Sequence, residues 1–422
     1  MSGSGGAKDT GGAPHHGRAH HDLHDMVERL EHLDEPVPSP PPDAQAAGAT
    51  PERAPVDVTV MTSGHDVADA RLHREVAALR ARGLRVEVLG LGDAADGPPG
   101  ATVRTWERQG SLGRMRLAAR MAAIANGRVL FTLDPDSALA ANVSVLSSGR
   151  QLVVDVHEDF ARLLADRPWA KALGGLAGYG AQGLVRAFLA VASRAALTVV
   201  ADEHVPPLHA RRRFVLPNEP VAAMLPDPGA RGEGPRALYV GDVRATRGLF
   251  AMLEAVRLAS GWELDVVGPV APADADELRR RLVADPGLAT RVHLHGRRPP
   301  TQAWEHARGA WCGLLLLADT PAFAEALPSK LGEYLACGLP VITTDLPRQA
   351  EVVRGAGAGV VVPVGDDAAV GASVAEVLTR WSSPEGRLEL DACARNAVAH
   401  AEAAERESSV YEDFADAVAA LL

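Results

Sequence analysis

The sequence predicts an α/β protein of two Rossmann-like, doubly wound domains facing a central cleft. Three observations carry that expectation. The 422 residues exceed the roughly 250–300 that one hydrophobic core organises. From residue 56 onward, short β-branched runs alternate with segments of helical period, the signature of βαβ units and parallel sheets. A Pro- and Gly-rich stretch, PNEPVAAMLPDPGARGEGP at residues 217–235, splits the alternation into two series and reads as a linker that few contacts cross.

Residues 1–55 come before the alternation. They contain no Phe, Trp, Tyr or Ile, and seven prolines crowd Pro36–Pro55, so too little apolar surface is available to offset the entropy of ordering. A disordered tail is expected, with at most a short helix over His21–Glu35. Five of its six histidines, His15, His16, His20, His21 and His24, cluster at its start and read as solvated side chains, because nothing around them supplies a rigid outer shell for a metal.

The first domain is expected over residues 56–216. Strands are read at Val56–Thr62, Leu84–Leu91, Arg128–Asp134, Gln151–His157 and Leu197–Asp202, with helices at Ala68–Arg82, Leu112–Asn126, Ser137–Leu146 and Leu176–Ala195. The second is expected over 236–400, where ALYVGD, ELDVVG, RVHLHG, WCGLLLLA, LPVITTD and GVVVPV are strand candidates. A C-terminal helix over 401–422 could pack back on the first domain. Ligands of such sheets bind in the crevice at the carboxyl ends of the strands.

Composition narrows the function. The net charge is −11, which argues against general nucleic-acid binding. It is spread as −5 over residues 1–55, +3 over 56–220 and −9 over 221–422. Three scattered cysteines, Cys312, Cys337 and Cys393, make neither a disulfide framework nor a zinc cluster, so a reducing cytoplasm is expected. There is no apolar leader and no apolar run near 20 residues, so neither secretion nor membrane spanning is indicated. Ser63-Gly64-His65-Asp66 follows the first strand where a dinucleotide-binding protein would carry Gly-x-Gly-x-x-Gly, and no P-loop lysine pattern occurs, which disfavours dehydrogenases and P-loop NTPases.

The most specific segment is LPSKLGEYLACGLPVITTD, Leu327–Asp345. Pro328 and Ser329 stand where a helix should start and Gly338 where it should stop, with a buried strand after it. Free N–H groups at that start, with Ser329 and Lys330 beside them, suit a phosphate or diphosphate. Glu333 lies one turn further on, within reach of a sugar hydroxyl. A capped helix with a solvated lysine and glutamate explains the same residues on local physics alone.

This run resembles the donor-nucleotide segment of GT-B glycosyltransferases, specifically the retaining glycosyltransferase family 4 (glycosyl transferases group 1) type. ALYVGDVRATRGL, ELDVVGP and VHLHGRRP resemble further segments of that family in order and spacing. The resemblance spans about residues 57–380, strongly in the second domain and loosely in the first. It implies two facing domains of the GT-B fold, no bound cofactor or metal ion, and a UDP-, GDP- or dTDP-sugar as co-substrate. It also implies a hexosyl transfer to a hydroxyl acceptor with retention; a glycan precursor, a glycolipid and a secondary metabolite all remain open as acceptors.

Residue by residue, the resemblance implies diphosphate contacts at Arg247, beside Gly248, and at Lys330 and Ser329. Glu333 would hold the ribose, and the loop Gly296-Arg297-Arg298 would receive the base, with Arg297 among the donor contacts. Family members often carry arginine directly after the strand glycine, where this chain has Asp242; Arg244 is the candidate substitute. Glu325 and Glu333 reproduce a spacing of two acids eight apart, but Ala326-Leu327-Pro328 stands where the family has glycines, so Glu325 faces either the sugar or solvent. Thr320, Ala322 and Phe323 lie in the same loop without assigned roles.

In the first domain VVDVHEDF, Val153–Phe160, resembles the family's Asp-x-His-Glu segment, which puts His157 near the reacting centre and Glu158 in the cleft. Gly64, Asp69 and Arg71 resemble a further family pattern on the acceptor side. An ordinary helix-start acid explains Asp69 as well, an ordinary surface cation Arg71, and a helix cap Asp136. The apolar stretch Gly174–Ala196, followed by Arg211-Arg212-Arg213, reads as a core helix and a solvated basic loop; peripheral contact with the inner membrane surface is the alternative. Two other readings stay open at this point: a nucleotide-sugar epimerase of the same fold, and a non-catalytic GT-B partner or scaffold subunit.

Overall fold

The computed structural model describes residues 55–160, 176–321 and 323–422. The tail therefore lies outside the described residues except for Pro55, as do Ala322 and the start of the stretch from Gly174.

Seven parallel strands form the first sheet: β1 (Val58–Asp66), β2 (Val86–Leu91), β3 (Thr102–Trp106), β4 (Val129–Thr132), β5 (Gln151–Val156), β6 (Leu197–Val200) and β7 (Arg213–Val215). Their order is β3-β2-β1-β4-β5-β6-β7. Helices α1 (Ala70–Ala81), α2 (Ser111–Ile124), α3 (Pro135–Ser148) and α4 (Leu176–Arg194) connect them. Val58, Val60, Val129, Phe131, Val153 and Val154 are fully buried, as strands covered on both faces require. Local chemistry sets the helix ends. Asp69 caps α1 by accepting from the amides of Arg71 and Leu72, and Asp134 caps α3 with Pro135 at its first position.

Six parallel strands form the second sheet: β8 (Arg236–Val240), β9 (Glu263–Val267), β10 (Val292–Gly296), β11 (Cys312–Leu315), β12 (Val341–Thr344) and β13 (Gly359–Val362). They run in the order β10-β9-β8-β11-β12-β13. The helices are α5 (Leu249–Leu258), α6 (Pro272–Ala284), α7 (Pro286–Ala289), α8 (Pro300–Glu305), α9 (Ser329–Ala336), α10 (Pro347–Ala356), α11 (Asp367–Ser382) and α12 (Pro384–Glu407). In each sheet the winding reverses once, between β1 and β4 and between β8 and β11, which opens a crevice at the carboxyl ends of those strands. The last helix, α13 (Val410–Ala419), returns to the first domain. There Phe414 is fully buried, its ring 5.8 Å from Phe131 and 6.2 Å from Phe214.

Three features differ from the sequence reading. β3 and β7 were not expected: TVRTW alternates weakly, and RFV is only three residues long. Arg213 is no solvated loop residue, because β7 carries it and its guanidinium donates to the carbonyls of Pro207, Asp202, Glu203 and Val205. The segment 217–235 is well anchored. The Gly232 amide donates to Gly309 O at 2.9 Å, the Trp311 indole donates to Gly232 O at 3.0 Å, and Asn218 accepts from two arginines of α1.

Candidate functional site

The sharpest feature of the cleft is an ammonium without an acceptor. Lys330, second residue of α9, is 8% exposed, and its Nζ has no hydrogen-bond partner among the described residues. It lies 4.0 Å from the centroid of the Tyr239 ring. Burial, and next the charge of Arg247, lower its pKa to about 7. Arg247 hydrogen-bonds the Tyr239 hydroxyl, which itself donates to Asp242 O at 2.7 Å.

Two helix starts converge here. No side chain caps α9 or α5; the Leu331 amide donates to Pro328 O and the Leu249 amide to Arg244 O, and the other first-turn N–H groups have no acceptor within their own helix. Gly248 opens α5 with φ +87°, and a Cβ on it would stand 2.4 Å from the Leu316 carbonyl oxygen. Only glycine allows that approach of backbone to backbone. A cation without an acceptor, a second cation and free amides together make a site for a polyanion.

Glu333 faces the same crevice, 6% exposed. Its carboxylate takes a 2.8 Å hydrogen bond from Arg74 Nη1 of α1, so the two domains meet through a buried ion pair. Burial prevails at Glu333 and raises its pKa, although Arg74 and Lys330 pull it down. At Arg74 burial opposes the charge, but Glu333 together with Tyr411 and Asp69 raises its pKa. The 2.8 Å contact identifies the pair as ionic. Ser329 also hydrogen-bonds Glu333.

On the first domain, His157 follows β5. Its Nδ1 donates to Asp155 Oδ2 at 3.1 Å, which leaves Nε2 as the free ring nitrogen. Asp155 is fully buried and accepts from Arg71 Nε and Nη2 at 2.8 and 2.7 Å. Burial alone would raise the Asp155 pKa, but Arg71 and the His157 hydrogen bond hold it at about 2. Burial disfavours the imidazolium, yet the Asp155 hydrogen bond and charge raise the His157 pKa above its ordinary value. Glu75 lies 3.1 Å from Arg71 Nε; burial, then the charge of Asp155, push its carboxyl well up.

The sequence candidates therefore separate. Arg247, Gly248, Ser329, Lys330 and Glu333 come together, and His157 sits on the facing domain. Arg71 is not the surface cation that the simpler reading expects. It is 6% exposed and ties Asp155 to Leu216 O and Asn218. Asp69 is the α1 cap. Gly64 lies under Arg114, whose Nη2 would be 2.8 Å from an added Cβ. Glu158 and Glu325 are exposed; at Glu325 it is the backbone carbonyl that accepts from Arg348. Arg297 stands 3.9 Å from both Asp66 and Asp242. Arg244 pairs with Asp242 at 3.2 Å, so it neutralises that departure from the family pattern.

Sequence reasoning missed Arg74 and assigned no role to Asp155. Both carried a signal. Asp155 is a lone acid in a buried strand two residues before His157, on the same strand face; Arg74 is one turn beyond Arg71 on α1.

Comparison with known proteins fits this geometry. Residues 223–396 match the family model described as glycosyl transferases group 1. That match lies within the second half of the chain and spans less than half of its 422 residues. No curated protein is detectably similar in sequence. Among solved structures, Anabaena HepE in complex with UDP and glucose is 14% identical with a TM-score of 0.62, over 86% of this chain and 100% of that one. WaaG, a glycosyltransferase involved in lipopolysaccharide biosynthesis, is 18% identical with a TM-score of 0.58, over 86% and 99%. Sucrose-phosphate synthase from Thermosynechococcus elongatus is 16% identical with a TM-score of 0.56, over 82% and 94%. The fold of the chain is thus GT-B, and the residues that match the family model contain the whole Lys330 cluster.

Proposed function

We propose that the chain transfers a hexosyl group from a nucleotide-sugar to an acceptor hydroxyl with retention of anomeric configuration. The carrying observation is the buried, acceptor-free Lys330 beside Arg247 and two uncapped helix starts, where a diphosphate would supply the missing acceptors. The C1–phosphate oxygen bond breaks, the acceptor oxygen bonds C1 as its proton passes to His157 Nε2, and the nucleoside diphosphate leaves with its new charge facing Lys330 and Arg247. Glu333 takes the ribose and Arg297 borders the base. His157, its Nδ1 held by Asp155, offers Nε2 to the acceptor hydroxyl. The UDP held by HepE supports a UDP-, GDP- or dTDP-sugar as donor.

Thermal unfolding with UDP, GDP, dTDP and ADP tests this reading. A nucleotide at a hundred times its Kd adds about 2.7 kcal/mol to the folded form, a shift of several degrees. One nucleotide should stabilise the wild type, and Lys330→Ala should lose that shift. If no nucleotide moves the wild type, the scaffold reading replaces the enzyme.

The partner on the acceptor side is an anionic membrane surface carrying a lipid-linked acceptor. No helix among the described residues is long and apolar enough to cross a membrane. The packed layer of α2 and α3 nevertheless exposes Leu112 (74%), Met115 (55%), Val143 (69%) and Leu146 (80%), with Arg116 and Arg120 exposed on α2. Flotation with phosphatidylglycerol vesicles should carry the protein, and Leu112→Ser with Leu146→Ser should release it; equal flotation of both would refute the surface.

A further inference from the structure

We propose that Asp265, His295 and His306 form a divalent transition-metal site at the β9–β10 edge of the second sheet, apart from the Lys330 cluster. The three come from separate elements. Asp265 is central in β9, opposite His293 in the parallel register. His295 lies two residues beyond His293 and so on the same face of the edge strand β10. His306 is the C-cap of α8, which brings its ring over that face.

The side chains converge tightly. His295 Nε2 is 2.6 Å from Asp265 Oδ1, and the rings of His295 and His306 lie 4.0 Å apart at 41°. One donor atom from each residue falls within 4.8 Å of the others. Two imidazoles tilted face to face cannot hydrogen-bond one another through their ring nitrogens, and the His306 ring takes no hydrogen bond among the described residues. His306 therefore has a nitrogen lone pair to offer, and at His295 a metal ion would take the place of the proton that Nε2 now donates to Asp265.

Asp265 is held for the task. It is 2% exposed, and Arg236 Nη1 lies 2.8 Å from its other oxygen, Oδ2, as an ion-pair contact without aligned hydrogen-bond geometry. Ligating carboxylates are ordinarily oriented by just such an outer partner. The cation also weakens the site, and that sets the class of metal: two imidazoles and one carboxylate suit zinc, cobalt or nickel over magnesium or calcium. The half-buried rings leave a position for water. A bound ion would brace α8 against β10 and so fix the turn at Gly296 and Arg297. Sequence reading passed over the three because they follow no short metal-ligand spacing.

Equilibrium dialysis of the full chain against Zn2+, paired with thermal unfolding, tests the proposal. Residues 1–55 carry further histidines, so the readout is the difference between proteins. Wild type should bind one equivalent more than His306→Ala and should gain several degrees with Zn2+, a gain that the variant lacks. Co2+ should give the visible absorption of a four- or five-coordinate ion in the wild type alone. His306→Gln, which keeps the bulk of the half-buried side chain, carries the same comparison should His306→Ala fold poorly. Equal stoichiometry in wild type and variant, or a wild type that Zn2+ leaves unstabilised, overturns the site.

Discussion

At Lys330 a single side chain couples binding to protonation. Its pKa near 7 in the folded chain lies below that of an unfolded lysine, so between about pH 7 and 10.4 the unfolded chain binds more protons and stability rises with pH. Below about 7 both forms are charged and the whole cost of burying the ammonium is felt. Lys330→Met should therefore raise Tm at pH 7 by several degrees and lose the gain near pH 10. A diphosphate restores the charged form, so nucleotide binding at pH 8 should take up protons. Calorimetry in buffers of different ionisation enthalpy reads that uptake, and buffer-independent heats would contradict it. The raised pKa of His157 makes a second prediction: turnover should fall on the acid side as its Nε2 is protonated, at a pH above the ordinary histidine value. Asp155→Asn should move that limb to lower pH and reduce kcat by about 10²-fold or more, measured as a pH–rate profile. An unmoved limb would remove Asp155 from its positioning role.

Elements place these side chains, and one glycine decides whether two of them can approach. With φ +87° and the Leu316 carbonyl 2.4 Å from an added Cβ, Gly248→Ala should cost at least about 1–2 kcal/mol from the left-handed backbone alone. It should also push the start of α5 from β11 and weaken nucleotide binding together with stability. Denaturant unfolding checks the first effect and nucleotide titration the second; a variant as stable as wild type would exclude the close approach. β11 and β12 of the second sheet were legible as short, largely apolar runs, because strands buried on both faces leave that pattern. The α9 limits were legible from Pro328, Ser329 and Gly338. β7 was not, since three residues carry no period and its Arg213 is satisfied by carbonyls of the preceding segment, Asp202 to Pro207. The surface-cation alternative for Arg71 fails because burial of a charge depends on Asp155, 84 residues away, and no local pattern encodes such a partner.

Across the whole molecule the two domains are tied in two ways of different chemistry. α13 crosses to the first domain and buries Phe414, and Arg74 reaches Glu333 across the cleft with side chains 3% and 8% exposed. Removing one partner of a buried pair leaves the other charge uncompensated, at about 3–5 kcal/mol, whereas replacing both can be nearly neutral. Arg74→Met and Glu333→Gln should therefore each loosen the contact, and the double variant should cost less than the sum of the two. Because the pair is buried, added salt should alter it little, whereas the exposed contact of Arg297 with Asp66 should be screened. Phe414 keeps the last helix docked in every variant, so a loosened cleft should appear as a larger radius of gyration by X-ray scattering, with far-UV circular dichroism unchanged. Nucleotide should compact the single variant Arg74→Met again, because Glu333 then has the ribose as its partner. Strictly additive costs, or a radius of gyration that neither substitution changes, would show that the pair does not hold the cleft and that α13 alone sets the arrangement of the domains.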